Sequence, residues 1–529
     1  MFTGELLPFQ VEAFERMVDR KKVLMAYQQG LGKTPTTIAV CEHLMETEDI
    51  TAPVLVVALS SLKYQWAAEI EKFSDSTPLV IDGTPRKRAQ QYERAANWQA
   101  SGVDYVLVNY EQVVNDWDII KHLELGAIVA DEASAMKGLR SKRSKHVKKI
   151  ASTLPVRFAL TGTPIENGKP EELFSILQMV DPEVLGRFDL FDKAFIVRNP
   201  MGWVERYRNL PTLYRRMSQV MVRKRQTDPD VQDYMPLLRR KPPMQITLDA
   251  ATRVLYDHIK TDLIASLDDA AEILGASGFS LESHYGLAPS PNDPAGAVKG
   301  QIMAQITALR MTCGNARLIQ TSANQFHESM TSGVVKGSAY AASLLDQGLL
   351  DALPIIPVKA TKAAKYIQDF LSLDPKHKVV IFTTFVGTVR MLREVLGEQI
   401  TVGYTGQMNA RAKEDARQSF KTNPEIRVLV SSDAGGYGVD LPEGNLLINY
   451  DLPWKAGTIS QRDSRIIRAS SEWEHVQILD VLVERSIEQR QFAMIEQKRK
   501  VADAIIDGRS INAQGGVDMT LGSLRSFLS

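Results

Sequence analysis

Short runs of Val, Ile, Leu and Ala recur along the first third of the chain, at 23–26, 54–59, 105–108, 127–130 and 157–160. Each is followed by a polar turn and then by apolar residues at helical spacing. Runs that are apolar at consecutive positions, and too short for a helix, are expected as strands covered on both faces. Their alternation with helices predicts an α/β fold with a parallel sheet, whose ligands sit at the carboxyl ends of the strands. The pattern changes after about residue 165. Positions 170–270 have mostly helical spacing, with amphipathic stretches at 171–180 and 250–267. Residues 275–300 collect Gly275, Gly278, Gly286, Pro289, Pro291, Pro294, Gly296 and Gly300, which predicts a mobile loop. Helical spacing returns at 301–319. From Lys378 the strand–helix alternation resumes, with strands expected at 379–382, 428–430, 446–449 and 476–483. The expected organisation is an α/β lobe over 1–168, a helical insertion and linker over 169–355, a second α/β lobe over 356–510 and a tail over 511–529.

The bulk composition narrows this picture only a little. A chain of 529 residues has room for three or four units of ~150 residues each. Its 63 basic residues balance 63 acidic ones, so any polyanion must be met by a local basic groove rather than by net charge. Cys41 and Cys313 share no metal-ligand spacing, which disfavours a zinc cluster or a disulfide framework and fits a reducing, cytoplasmic compartment. Met1-Phe2-Thr3-Gly4-Glu5 lacks the basic and apolar regions of a signal peptide, and no apolar run is long enough to span a membrane.

The most specific chemistry is Gly30-Leu31-Gly32-Lys33-Thr34, between an expected strand and an expected helix at 36–45. Glycines there let backbone N–H groups turn toward phosphate oxygens, and the helix N-terminus adds its dipole. Lys33 is the candidate for the β- and γ-phosphates of ATP, and the Thr34 hydroxyl for Mg²⁺. Asp131-Glu132 ends the run at 127–130. Beside a phosphate loop, Asp131 is expected to hold the Mg²⁺ and Glu132 to activate the attacking water. The competing reading of that pair is an N-cap for the next helix. Gln10 is a candidate for the adenine edge, because its amide matches N6 and N7; alone it reads as a surface helix residue, and the neighbouring motifs promote it. Arg462, Arg465 and Arg468 stand at spacings of three, which on a helix gives one guanidinium-lined face suited to phosphates or simply a solvated basic face.

Taken in order, these motifs resemble those of superfamily-two helicases, and more closely the SWI/SNF-type DNA-translocating ATPases. The resemblance is carried by Leu7 to Gln10, Gly30 to Thr34, Leu59 to Trp66, Asn109 to Glu111, Asp131 to Ser134 with Lys137, and Leu160 to Asn167. It continues through Val379 to Phe385, Ser431 to Leu441, Tyr450 to Trp454 and Gln461 to Arg468. It implies two RecA-like lobes with ATP between them. It also implies Arg465 and Arg468 as arginine fingers, Gln461 near the nucleotide, and Tyr110, Thr161, Gly435 and Gly436 near nucleic acid. The chain departs from the family pattern at Tyr27, Gln28 and Gln29, at Ser134, at Ser464 and Ile467, and at Asp440, where the family usually has Asn.

Between Lys137 and Lys149 there are seven basic residues, Lys137, Arg140, Lys142, Arg143, Lys145, Lys148 and Lys149, and no acidic one. That run is a solvated helix face, a nuclear-import-like run or a contact to DNA phosphates, and its position after Asp131-Glu132 favours DNA. Smaller clusters stand at 223–225 and 239–241. Aromatic residues are not concentrated beside these clusters, which favours a duplex over a stacked single strand. Backbone contacts make binding largely independent of sequence. The expected function is a monomeric, DNA-dependent ATPase that moves along double-stranded DNA without separating it and displaces bound factors. The rivals are a strand-separating DNA or RNA helicase and a nucleotide-gated clamp with little turnover.

Overall fold

The computed structural model describes residues 1–60, 62–200, 204–274, 294–332, 336–433, 439–507 and 521–528. Two compact units divide the chain, one of residues 1–235 with 498–516 and one of 236–497 with 517–529.

In the first unit the strands are β1 (Lys22–Tyr27), β2 (Val54–Ala58), β3 (Pro78–Val80), β4 (Tyr105–Asn109), β5 (Ala127–Asp131), β6 (Val156–Leu160), β7 (Ile196–Arg198), β8 (Val204–Tyr207) and β9 (Met221–Lys224). Seven of them form a parallel sheet in the order β3-β4-β2-β5-β6-β1-β9, and β7 and β8 make a separate antiparallel pair. The consecutive apolar runs have a direct cause, because the sheet carries a core on each face. Leu24, Ala26, Leu55, Val57, Val106 and Val108 pack on one side. The residues between them, Val23, Met25, Val54, Val56, Tyr105 and Leu107, pack on the other. Side chains alternate across a strand, so a sheet covered on both faces needs an apolar residue at every position. Each fully buried Val, Leu or Ile contributes about 1.5–3 kcal/mol relative to exposure.

The second unit holds β10 (Leu237–Arg240), β11 (Met244–Ile246), β12 (Val379–Thr383), β13 (Thr401–Tyr404), β14 (Val428–Ser432), β15 (Leu446–Asn449) and β16 (His475–Val483). The sheet order is β10-β16-β15-β12-β14-β13, with β11 also paired to β16. Val379, Ile381, Val428, Val430, Leu446 and Ile448 share one core with apolar residues of the helices Ala250–Leu274, Pro294–Gly314 and Val358–Leu373.

Two parallel-sheet α/β lobes are therefore present, as the strand–helix alternation predicts. The segment expected as a helical insertion, 169–355, is shared between the two units. Its helices are there, including Pro170–Val180, Ala250–Leu274, Pro294–Gly314 and Arg317–Ser332. It also contains β7 to β11, which helical spacing alone did not reveal. The Gly- and Pro-rich stretch lies outside the described residues up to 293. From Pro294 it is helix rather than loop, because proline's fixed φ suits the first helical position. Among the described residues, no helix is long and apolar enough to cross a membrane.

Candidate nucleotide site and nucleic-acid face

The phosphate loop joins β1 to the helix Lys33–Glu46. Gly30 and Gly32 have φ values of 84° and 73°, in the left-handed region that only glycine enters without strain. A Cβ at Gly32 would stand 2.2 Å from Nε2 of Gln10, so a larger residue fails on space as well as on conformation. Gln10 is buried. Its Nε2 donates to the Leu31 carbonyl at 3.1 Å and its Oε1 accepts the Leu7 N–H at 2.9 Å. In this structure the amide proposed for adenine thus ties the helix Pro8–Arg20 to the phosphate loop. The Lys33 ammonium donates to the Tyr27 carbonyl at 3.1 Å, closing the loop on itself. Gln226, just beyond β9, donates its backbone N–H to Oε1 of Gln28 at 2.8 Å and its Nε2 to the Gln29 carbonyl at 2.9 Å. Gly162 sits against the same loop, where a Cβ would meet Cγ of Gln29 at 3.0 Å and its backbone nitrogen at 3.2 Å.

Asp131 is the last residue of β5, and Glu132 turns away from the strand with φ 46°. A non-glycine residue held there costs on the order of 1–3 kcal/mol and persists only where the surroundings enforce it. The carboxylate of Asp131 accepts from Trp66 Nε1 at 2.8 Å and from the Glu132 backbone N–H at 2.9 Å. Burial pushes the Asp131 carboxyl up, while the Trp66 bond, the Lys33 charge and the Glu132 N–H pull it back. A divalent cation would favour the ionised form of such a group. One carboxylate, the hydroxyl of Thr34, phosphate oxygens and water make a hard oxygen donor set that fits Mg²⁺. That is a different arrangement from an all-protein cage, and no cluster of three or more His, Cys, Asp or Glu ligands is found among the described residues.

Tyr110, expected against nucleic acid, is instead buried at 1% exposure, and its hydroxyl donates to the Asp131 carbonyl at 2.8 Å. The reason is position: the residue follows β4, two strands from β5, and its ring fills the core on that face. Tyr110→Phe is expected to lower stability by about 1 kcal/mol through the lost hydrogen bond. DNA affinity should stay unchanged, and a salt titration of DNA binding beside a thermal melt checks both. Thr161 is also fully buried, with its Oγ1 accepting the Thr163 N–H at 3.2 Å, so it presents no surface to DNA. Gly435 and Gly436 lie outside the described residues.

The basic run divides by what each residue touches. Lys137 pairs with Glu166, joining the end of β5 to the segment after β6. Lys148 turns inward and donates to Ser175 Oγ at 3.0 Å, and burial pushes its pKa down to about 8. Arg140, Lys142, Lys145 and Lys149 are exposed, as is Arg143, which pairs with Glu111. The helix Lys142–Ala151, capped by Ser141, carries four of these five. Most cations of the smaller clusters are paired within the protein, while Arg239 is exposed. Arg223 donates to the Ala26 carbonyl, Lys224 pairs with Glu12 and Asp230, and Arg225 pairs with Asp507. Arg240 pairs with Asp463 and Asp480.

In the second unit the expected arginine-lined helix face does not form. The helix Ala456–Asp463 carries Gln461 and Arg462 but ends before Arg465. Arg462 is buried, donating to Asp433 at 2.7 Å, to Oδ1 of Asn449 at 3.2 Å and to the Asp451 carbonyl at 2.6 Å. Ile466 and Ile467, buried in the turn that follows, leave Arg465 and Arg468 to converge on Asp440. Burial opposes ionisation of Asp451. Arg462, Arg310 and the hydroxyls of Thr383 and Thr384 nevertheless hold its carboxyl below the usual range. Trp66, Gln226 and Asp440 were not singled out as site residues from the sequence. A lone Trp or Gln carries no local signal, while Asp440 stood out only as a departure from a pattern.

Residues 9–285 match the model of the SNF2-related domain, and residues 362–470 match that of the helicase conserved C-terminal domain. The chain is 24% identical over 535 residues to the ATP-dependent helicase brm of Drosophila melanogaster, covering 96% of this chain and 29% of that protein. It is 23% identical over 507 residues to the ATP-dependent helicase YqhH of Bacillus subtilis, covering 94% of this chain and 79% of that protein. In fold it is similar to the helicase domain of Pyrococcus furiosus Hef, with a TM-score of 0.50 at 16% identity over 92% of this chain and 97% of that one. With a family model covering more than half its length and two parallel-sheet lobes bearing the motifs in order, the chain belongs to the SNF2-related family of superfamily-two, helicase-like ATPases.

Proposed function

We propose that the protein is a DNA-dependent ATPase that moves along double-stranded DNA without separating the strands and displaces factors bound to it. The observation that carries this reading is the contiguity of two features in the first unit. Asp131, on which Lys33 of the phosphate loop acts electrostatically, is followed by the short helix Ala133–Met136, a turn and then the exposed basic helix Lys142–Ala151. ATP and Mg²⁺ are held by Gly30, Gly32, Lys33, Thr34 and Asp131. Glu132 orients the attacking water. Arg465 and Arg468 meet the γ-phosphate when ATP draws the lobes together. Loss of that phosphate releases them, and alternating grip turns the cycle into a step along the backbone. Arg140, Lys142 and Arg143 contact DNA phosphates, each neutralised phosphate adding about 0.9 to the salt slope on duplex DNA. A reducing, cytoplasmic setting is part of the same proposal.

The test is ATP hydrolysis measured in parallel with duplex DNA, single-stranded DNA and RNA, using Lys33→Ala as the blank. Duplex DNA is expected to stimulate most. The protein should displace the third strand of a triplex and leave a forked duplex intact. Separation of the fork, or strongest stimulation by RNA, sinks the duplex-tracking reading in favour of a strand-separating helicase. Tight nucleotide-dependent DNA binding with negligible phosphate release would instead make it a clamp.

A further inference from the structure

Asp440 stands where two guanidiniums meet. Nη2 of Arg468 pairs directly with its Oδ1, and Nη1 of Arg465 lies 3.9 Å from the same oxygen. The backbone holds the group in register: the Leu441 N–H donates to the Arg465 carbonyl at 2.9 Å, and Leu441 is fully buried. Ile466 and Ile467, at 0% and 1% exposure, anchor the turn, so the two arginines cannot swing away with the backbone. They are themselves only 8% exposed, whereas the Asp440 side chain is 42% exposed and opens to solvent. Two like charges held this close favour a counter-ion, and Asp440 sets a carboxylate within reach of both.

We infer that Asp440 is a positioning residue that parks Arg465 and Arg468 before nucleotide arrives, so that the γ-phosphate must take the guanidiniums from it. This rests on the proposed role of the two arginines toward the triphosphate. A carboxylate left beside an incoming γ-phosphate also repels it, so both effects weaken ATP binding in the same direction. ADP, which lacks the γ-phosphate, feels neither to the same extent. Because Asp440 is partly exposed, the effect is screened by salt.

The experiment is steady-state hydrolysis with duplex DNA, comparing wild type with Asp440→Asn, which keeps the shape and removes the charge. KM for ATP is expected to fall about three- to tenfold, by more than any change in kcat, and the gain should shrink as ionic strength rises. Competitive inhibition by ADP should shift by less than the ATP constant. Asp440→Glu, which keeps the charge, should lower KM less than Asp440→Asn and serves if the first variant folds poorly. An unchanged or raised KM in folded Asp440→Asn overturns the inference, as does an equal shift for ATP and ADP. Wild-type protein without any ATPase activity would refute the nucleotide site itself, whereas an active wild type with an indifferent Asp440→Asn refutes only the parking role.

Discussion

Arg468→Ala is expected to bind ATP and to hydrolyse it about 10³–10⁵-fold more slowly, the loss typical of removing an arginine that stabilises the transferring phosphoryl group. The structure explains why the loss should fall on turnover and not on folding. The Arg468 guanidinium has its ion pair with Asp440, whose side chain is 42% exposed. Arg462 is the contrast within the same motif. It is buried among Asp433, Asn449 and Asp451, so it holds the unit together and its removal would read out as unfolding. Titration with a fluorescent ATP analogue, alongside phosphate release, separates the two steps. Weakened ATP binding in Arg468→Ala, with turnover of bound ATP preserved, would move the residue from transition state to ground state.

Glu132→Gln should lower turnover by about 10²–10⁴-fold, the range for removing a positioned general base. Nucleotide and DNA binding should survive, because the amide has the same shape. The backbone of Glu132 is held with φ 46° by its place between Asp131 and the short helix Ala133–Met136, and Gln tolerates that conformation as well as Glu does. The variant should therefore accumulate as an ATP-bound complex, visible as nucleotide retained on gel filtration and as a DNA affinity that no longer changes with time after ATP addition. Turnover near the wild-type rate would mean that another group activates the water, and the pairing of Asp131 with Glu132 would then reduce to metal binding alone.

Much of the fold was legible in advance. The consecutive apolar runs at 23–26, 54–59, 105–108, 127–130 and 157–160 became β1, β2, β4, β5 and β6 within a residue or two. The signal is strong because a sheet with a core on each face leaves no position free to be polar. The strands β7 to β11 escaped because they are short, and β7 to β10 also carry charge. In β10 all four residues, Leu237 to Arg240, are exposed, so no apolar period marks the strand. The phosphate loop was legible for a similar reason: its function needs small residues and a lysine at adjacent positions, and adjacency is what a sequence displays. Which lysines of the basic run are exposed was legible only in part, since a lysine looks the same whether it faces solvent, as Lys145 does, or turns in to Ser175, as Lys148 does.

From the sequence alone came the α/β class, the ATP-binding loop, the Asp131-Glu132 pair and the order of motifs that marks the family. All of these are written in residues close along the chain, where local sterics and apolar spacing suffice. Tertiary structure alone decided what supports them. Trp66 reaches Asp131 across 65 residues, Tyr110 reaches it across 21, and Gln226 closes on the phosphate loop across 198. Tertiary structure also drew Arg465 and Arg468 off the expected helix face and onto Asp440. Such partners are chosen by which strand ends and turns the packed cores bring together. No short-range pattern encodes that choice, because the energy that makes it is the burial of apolar surface across each whole unit.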